Sequence, residues 1–307
     1  MKKVIVKSPA TIANLVCGFD VLGLALKEPY DVMQMNLLDK PEIIIRNKDN
    51  FRLPADPDKN VAGVVLHSIM ERMNETTGFE LEIEKHIKPG SGIGSSAASA
   101  AGAAVAANQL LGGIFNDDDL VQFAMNGEKL ASGVKHADNI APCIFGGVRL
   151  VRSIHPLDII DIPSPDLFVT VVHPQIEVRT ADARQILRQQ IYLKDAIRQW
   201  GNIAGLVTGF IKNDPDLIGR SLEDVIIEPV RSILIPGFDE IKQKCKEAGA
   251  LGGGISGSGP SVFMLSRNET IARAVETVMK EVYDKIGIEY HTYVTTINKT
   301  GVEIISE

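Results

Sequence analysis

Three glycines alternate with a serine and an isoleucine in the string Pro89-Gly-Ser-Gly-Ile-Gly-Ser-Ser-Ala-Ala-Ser99. The string follows an alternating segment and precedes an alanine-rich one, so it reads as a turn from a strand into a helix. Glycine reaches positive φ without strain and has no Cβ to hold a ligand off the backbone. The first N–H groups of a helix lack intrahelical acceptors and carry the positive end of its dipole. Together these features make a cradle for an anion such as a phosphate. Ser95 and Ser96 stand where a hydroxyl can cap the helix or touch a phosphate or its metal. Two better-known phosphate loops do not fit. A dinucleotide fingerprint needs glycine where Ser95 stands, and a Walker A loop needs a lysine before its hydroxyl residue, which this loop lacks. A short glycine loop alone also fits a tight turn ahead of a well-packed alanine helix; the uninterrupted string favours the cradle.

Other side chains capable of chemistry each have an ordinary alternative. Asp20 can end the tight turn after Cys17-Gly-Phe, since aspartate favours turns. Glu128 on a helix face would be solvated. His136 suits a packing role, and Arg184 and Arg231 suit surface charges. The glycines of 252–259 fit a flexible turn as well as a binding loop. Cys17 is a small filler. Ile197, Ile203, Leu206 and Phe210 recur at helical spacing and read as core.

The elements that must position these residues are legible in outline. Residues 2–8, 31–38 and 42–46 read as strands. Phe79, Leu81 and Ile83 alternate with Glu80, Glu82 and Glu84, which predicts a half-solvated strand over 79–86. The alanine-rich run to Leu111 predicts a helix. Asn116 followed by three aspartates predicts a helix start, reaching about Leu130. A strand is expected at 147–153. Pro156, Pro163 and Pro165 mark a boundary, giving expected domains of 1–163 and 164–307. Beyond it, helices are expected at 181–190, 193–212, 238–248 and 269–286, and strands at 167–173, 260–266 and 289–297. Mixed runs of strands and helices point to α+β rather than a doubly wound sheet.

Composition narrows the class. At 307 residues, 45% hydrophobic and 23% charged, the chain is an ordinary globular protein with room for a core. A net charge of −7 offers no nucleic acid or membrane surface a basic footprint. Cys17, Cys143 and Cys245 are far apart and form no CxxC pair, which fits a reducing compartment and no zinc site. The N-terminal stretch has no apolar run of signal-peptide length, so a cytoplasmic location is expected. Residues 89–115 carry no charge, but their glycine, serine and alanine content argues against a membrane span.

The string Pro89–Ser99 resembles the signature loop of the GHMP kinases, the galactokinase, homoserine kinase, mevalonate kinase and phosphomevalonate kinase superfamily. Residues 9–25, PATIANLVCGFDVLGLA, resemble the N-terminal motif in the version typical of homoserine kinases. Residues 251–261, LGGGISGSGPS, resemble the C-terminal glycine motif. Residues 127–139, 180–187 and 228–238 are also similar to homoserine kinases. One departure stands out: Val16-Cys17 replaces the Gly-Pro common in that motif. The resemblance covers essentially the whole chain. It implies a two-domain α+β fold, with an N-terminal ribosomal-protein-S5-like domain and a C-terminal ferredoxin-like domain. It implies ATP and Mg²⁺, phosphorylation of L-homoserine on the route to threonine, and a homodimer. It assigns Pro89, Gly90, Ser91, Gly92, Ile93, Gly94, Ser95 and Ser96 to the nucleotide, and Ser96 with Glu128 to the metal. It assigns Asn14 and Asp20 to the amino and hydroxyl end of homoserine, Arg184 and Arg231 to its carboxylate, and His136 to the same pocket. Asn139 and Thr180 would shape the transfer site, with the proton passing directly to the phosphate and Asp138 as the rival base. The rival functions are a GHMP kinase for another alcohol, such as mevalonate or a sugar, and a nucleotide-binding regulator without activity.

Overall fold

The computed structural model describes residues 3–74, 77–178 and 180–306, without the side chains of Thr180 and Ala181. The first part of the chain runs through β1 (Lys3–Ala13), β2 (Leu22–Leu38), β3 (Ile43–Asn47), α1 (Val61–Arg72), β4 (Gly78–Glu84), α2 (Ser95–Leu110), α3 (Asp117–Ser132), α4 (Ile140–Phe145), β5 (Val148–Ile154) and β6 (Leu157–Ile162). The second runs through β7 (Phe168–Pro174), α5 (Thr180–Gln185), α6 (Leu193–Lys212), α7 (Pro215–Ser221), α8 (Glu228–Arg231), α9 (Phe238–Glu247), β8 (Gly252–Ile255), β9 (Val262–Ser266), α10 (Glu269–Ile286), β10 (Tyr290–Thr296) and β11 (Glu303–Ser306). Among the described residues the strands form two sheets. The larger has the order β11-β1-β2-β4-β3, with β5 and β6 continuing from one end of β2; the smaller has the order β10-β7-β9-β8. Among the described residues only β3 and β4 pair in parallel.

Local chemistry explains the elements that carry the site. In β4, Phe79, Leu81 and Ile83 are buried, and the glutamates between them are not. In α2, Ala97, Ala98, Ala100, Ala101, Ala103, Ala104, Ala106 and Ala107 are all fully buried. Their small side chains let the helix approach the sheet closely: a Cβ on Gly102 would lie 2.7 Å from Met33 Sδ. Helix α3 starts at Asn116 with a reciprocal capping box to Asp119 and stops at Gly133 in the left-handed conformation. No helix among the described residues is long and apolar enough to cross a membrane.

Several elements differ from expectation. Strand β2 begins at Leu22 rather than at residue 31, running through the polar Lys27-Glu28-Pro29. Its pairing with β1 shifts register between Pro9 and Thr11 at that point, so the ladder bends rather than ends. Strand β8 is almost pure glycine, a poor strand former, but a Cβ on Gly253 would lie 1.9 Å from Phe263 O. Close backbone contact with β9 therefore selects glycine there. The last strand, β11, returns to pair with β1 in the larger sheet. In the α6 stripe, Leu206 and Phe210 are buried as expected, whereas Ile197 is 57% exposed.

Candidate active site

The glycine loop, the N-terminal motif and the C-terminal glycine motif meet at one cleft of about 510 Å³. The loop enters α2 through Gly94, which is left-handed at φ 71° and supplies no capping side chain. The N–H groups of the first turn are thus left to a ligand. Pro89, Gly90, Gly92, Gly94, Ser95 and Ser96 line the cleft. Ser91 and Ile93 are buried behind the loop and do not line the cleft; their carbonyls accept from Ser261 Oγ and Thr11 N, respectively. The Ser95 hydroxyl donates to Ile87 O at 2.8 Å, tying the loop to its own entry.

The loop is held from behind by the second half of the chain. Ser256 Oγ donates to Gly92 O at 2.7 Å, and Ser261 Oγ to Ser91 O at 2.6 Å. A Cβ on Gly92 would lie 2.5 Å from Gly259 O. From below, Lys85 Nζ donates to Asp31 Oδ2 at 2.5 Å, Ser95 O at 3.1 Å and Ser99 Oγ at 2.9 Å. Asp31 Oδ1 accepts from the N–H groups of His86 and Ile87. This buried pair escaped the sequence reading, yet a signal was present. Period-two alternation puts Lys85 on the apolar face with Leu81 and Ile83, and Asp31 with Met33 and Met35. A charge on a buried strand face needs a partner.

Ser96 Oγ donates to Glu128 Oε2 at 2.8 Å at the side of the loop. The Glu128 carboxyl is buried and pushed up to about 7 by loss of water, which the Ser96 bond partly offsets. Two oxygen donors at the edge of a phosphate cradle, one of them a buried carboxyl without a cation partner among the described residues, fit a hard divalent cation.

Asp20 and Arg184 pair at the other end of the cleft, with Nη2–Oδ1 at 2.9 Å and Nη1–Oδ2 at 3.1 Å. Arg184 Nη2 also lies 3.0 Å from His136 Nε2, and His136 Nδ1 faces Asp20 Oδ1 at 3.7 Å. Burial lowers the His136 pKa, Asp20 opposes that, and Arg184 and Arg231 add to it. A neutral ring with its proton on Nδ1 satisfies both neighbours. Arg231 is nearly fully buried, donating from Nε to Ala183 O at 3.0 Å and from Nη1 to Gly257 O at 3.2 Å. Burial, then Arg184, pulls its pKa down to about 10. Phe19 lies against both guanidinium groups, at 5.5 Å from Arg184 and 5.0 Å from Arg231. Asn14 spends both ends of its amide on the frame: Nδ2 donates to Gly257 O, and Oδ1 accepts from Asp20 N.

Between the two ends, Asn139 Oδ1 accepts from Thr11 Oγ1 at 2.7 Å. Next to it, Asp138 is buried, and its carboxyl is pushed up to about 7 by loss of water, then by Asp20 and Glu128. The side chain of Thr180 lies outside the described residues. Thr11, Phe19, Lys85 and Ser256 are site residues to which the sequence reading gave no role. Thr11, Phe19 and Ser256 lay inside quoted motifs, but nothing in their type marked them.

The family model described as GHMP kinases N terminal domain matches residues 60–147, and that described as GHMP kinases C terminal matches residues 206–285. A homoserine kinase from Chloroherpeton thalassium is 44% identical over 99% of this chain and 100% of its own length. One from Chlorobaculum tepidum is 43% identical over 100% of this chain and 99% of its own. The crystal structure of a homoserine kinase from Cytophaga hutchinsonii superimposes with a TM-score of 0.94 at 47% identity, covering 99% of this chain and 98% of that one. With these motifs in one cleft and this likeness along its whole length, the chain belongs to the homoserine kinases of the GHMP kinase family, with the two-domain fold of that family.

Proposed function

We infer that this protein transfers the γ-phosphoryl group of ATP to the hydroxyl of L-homoserine, giving ADP and O-phospho-L-homoserine on the route to threonine. The observation that carries the reading is a single cleft with an anion-accepting helix mouth at one end and a carboxylate with two guanidinium groups at the other.

Homoserine is a zwitterion with a primary alcohol. Its ammonium takes the Asp20 carboxylate, and its own carboxylate takes Arg184 and Arg231. The Asp20–Arg184 pair opens as the substrate's charges replace each partner. Guanidinium suits this role because it holds a carboxylate through two parallel bonds. Asn14 keeps the Asp20 loop in place, and neutral His136 steadies Arg184. The amides of the glycine loop and of the first turn of α2 hold the triphosphate. Ser96 and Glu128 would hold Mg²⁺, which when bound neutralises phosphate charge.

The rate enhancement then rests on placement and fixed charge. The Asn139 amide cannot accept a proton at neutral pH, so the hydroxyl proton passes directly to the phosphate. Asp138 is the alternative acceptor. The division into domains at 163/164, a cytoplasmic location and a homodimer complete the reading; exposed Tyr192, Leu193, Ile197 and Trp200 at the start of α6 support the last.

A coupled ADP-release assay with L-homoserine, mevalonate and galactose tests the reading. Turnover of L-homoserine far above the other two is expected. Turnover of mevalonate or galactose alone would move the protein elsewhere in the superfamily. Bound ATP without ADP release from any acceptor would make it a regulator.

A further inference from the structure

Thr11 lies at the bend of β1, where the register with β2 shifts, and is fully buried. Among the described residues its hydroxyl has one hydrogen-bond partner, Asn139 Oδ1 at 2.7 Å. Its backbone N–H donates to Ile93 O, inside the phosphate loop, at 3.1 Å. The hydroxyl also packs on the loop's last glycine: a Cβ on Gly94 would lie 1.9 Å from Thr11 Oγ1 and 3.2 Å from Asn139 Oδ1. One residue therefore touches the loop backbone, the glycine that opens α2 and the amide at the centre of the cleft.

The direction of the amide follows from proton accounting. A buried hydroxyl needs an acceptor for its proton, and Asn139 Oδ1 is that acceptor. Reversing the amide would make Nδ2 the donor to Thr11 and strand the hydroxyl proton. It would also turn a carbonyl oxygen toward the place where phosphate charge collects. In the observed orientation, Asn139 Nδ2 donates to no described residue, and Asn139 lines the cleft. Two N–H donors are left for the transferring group.

We propose that Thr11 is a positioning residue for phosphoryl transfer: its hydroxyl fixes the Asn139 amide with the N–H groups toward the reacting oxygens, and its backbone sets that amide in register with the phosphate loop. The proposal rests on the kinase reading above and deepens it. Thr11 itself touches neither substrate. Its effect is felt where charge develops on the transferred group, so it belongs in kcat rather than in either KM.

A double-mutant cycle tests it. Thr11→Val keeps the shape and removes the hydroxyl. The expected result is a fall in kcat of about 10–100-fold, with both KM values within about threefold and the melting temperature close to wild type. Thr11→Ser should recover most of the lost kcat. In an Asn139→Ala background, Thr11→Val should cost less than about twofold, because the group it positions is gone. An equal loss in both backgrounds, or wild-type kcat in Thr11→Val, overturns the proposal. Should Thr11→Val not fold, Thr11→Ala removes the same hydroxyl without setting a methyl against the Asn139 carbonyl and takes its place in the cycle. The wild-type rate with L-homoserine reports on the kinase reading alone; the cycle runs with whichever acceptor the wild type turns over, so the two failures are told apart.

Discussion

At the scale of single residues, the cleft keeps carboxyl groups where burial works against their charge. Asp138 is pushed up to about 7 from an ordinary 3.8. The folded protein thus holds this proton more tightly than the unfolded chain does. Between those two values stability falls as pH rises, and the loss is complete above about pH 7. Asp138→Asn should therefore stabilise the protein at pH 8 by about 2–4 kcal/mol, and by progressively less toward pH 4, read as the shift in urea midpoint against wild type. The same variant decides the route of the proton. With direct passage to phosphate, kcat stays within about fivefold; a large loss in a folded variant would make Asp138 the base. Glu128→Ala should lower turnover by at least about 100-fold, and unchanged activity at limiting Mg²⁺ would remove the metal role. Arg231→Leu should raise the KM for homoserine far more than that for ATP, and equal effects on both would mean that the guanidinium holds something else.

At the scale of elements, the loop of residues 89–96 is shaped by glycines that do different work. A side chain at Gly90 would meet no protein atom within 4 Å, whereas one at Gly92 would strike Gly259 O at 2.5 Å, although both have positive φ. Gly90→Ala should then cost only the backbone strain of about 1 kcal/mol. Gly92→Ala should cost clearly more and lower kcat/KM for ATP, because the loop must leave its seat on residues 256–261. Thermal melts and ATP kinetics of the two variants check this, and equal costs would show that the seat is unimportant. What the sequence disclosed follows the same division. Local patterns were legible: the alternation of Phe79–Ile83, the glycine string, the alanine helix and the Asn116 cap each depend on near neighbours. Pairings across the chain were not. Nothing local tells that Ser96 meets Glu128, that Asp20 meets Arg184, or that β11 returns to β1. Glycine-rich β8 was hidden because its reason, the nearness of β9, lies outside its own residues. The resemblance to a family named Asp20, Glu128 and Arg231 where residue type alone left each with an ordinary role.

At the scale of the whole molecule, the two parts of the chain share a seam rather than a hinge of bare linker. Ser256 and Ser261 grip the loop, Asn14 and Arg231 converge on Gly257 O, and Gln199 of α6 donates to Cys17 O and accepts from Val225 N. The glycine loop and the Asp20–Arg184 end of the cleft are thereby tied into one frame. The outer face of α6 turns Tyr192, Leu193, Ile197 and Trp200 to the surface, each more than half exposed, which is a costly display for a lone chain. Trp200→Glu combined with Ile197→Glu should shift a homodimer to monomer in sedimentation, and an unchanged species would place the contact elsewhere.

The measurement closest to the central claim compares L-homoserine with two truncated alcohols, 3-aminopropan-1-ol, which lacks the carboxylate, and 4-hydroxybutyrate, which lacks the ammonium. If one frame grips both charges while the helix mouth of α2 holds the triphosphate, each truncation lowers kcat/KM by at least about 10³-fold. Comparable turnover of either truncated alcohol would contradict it.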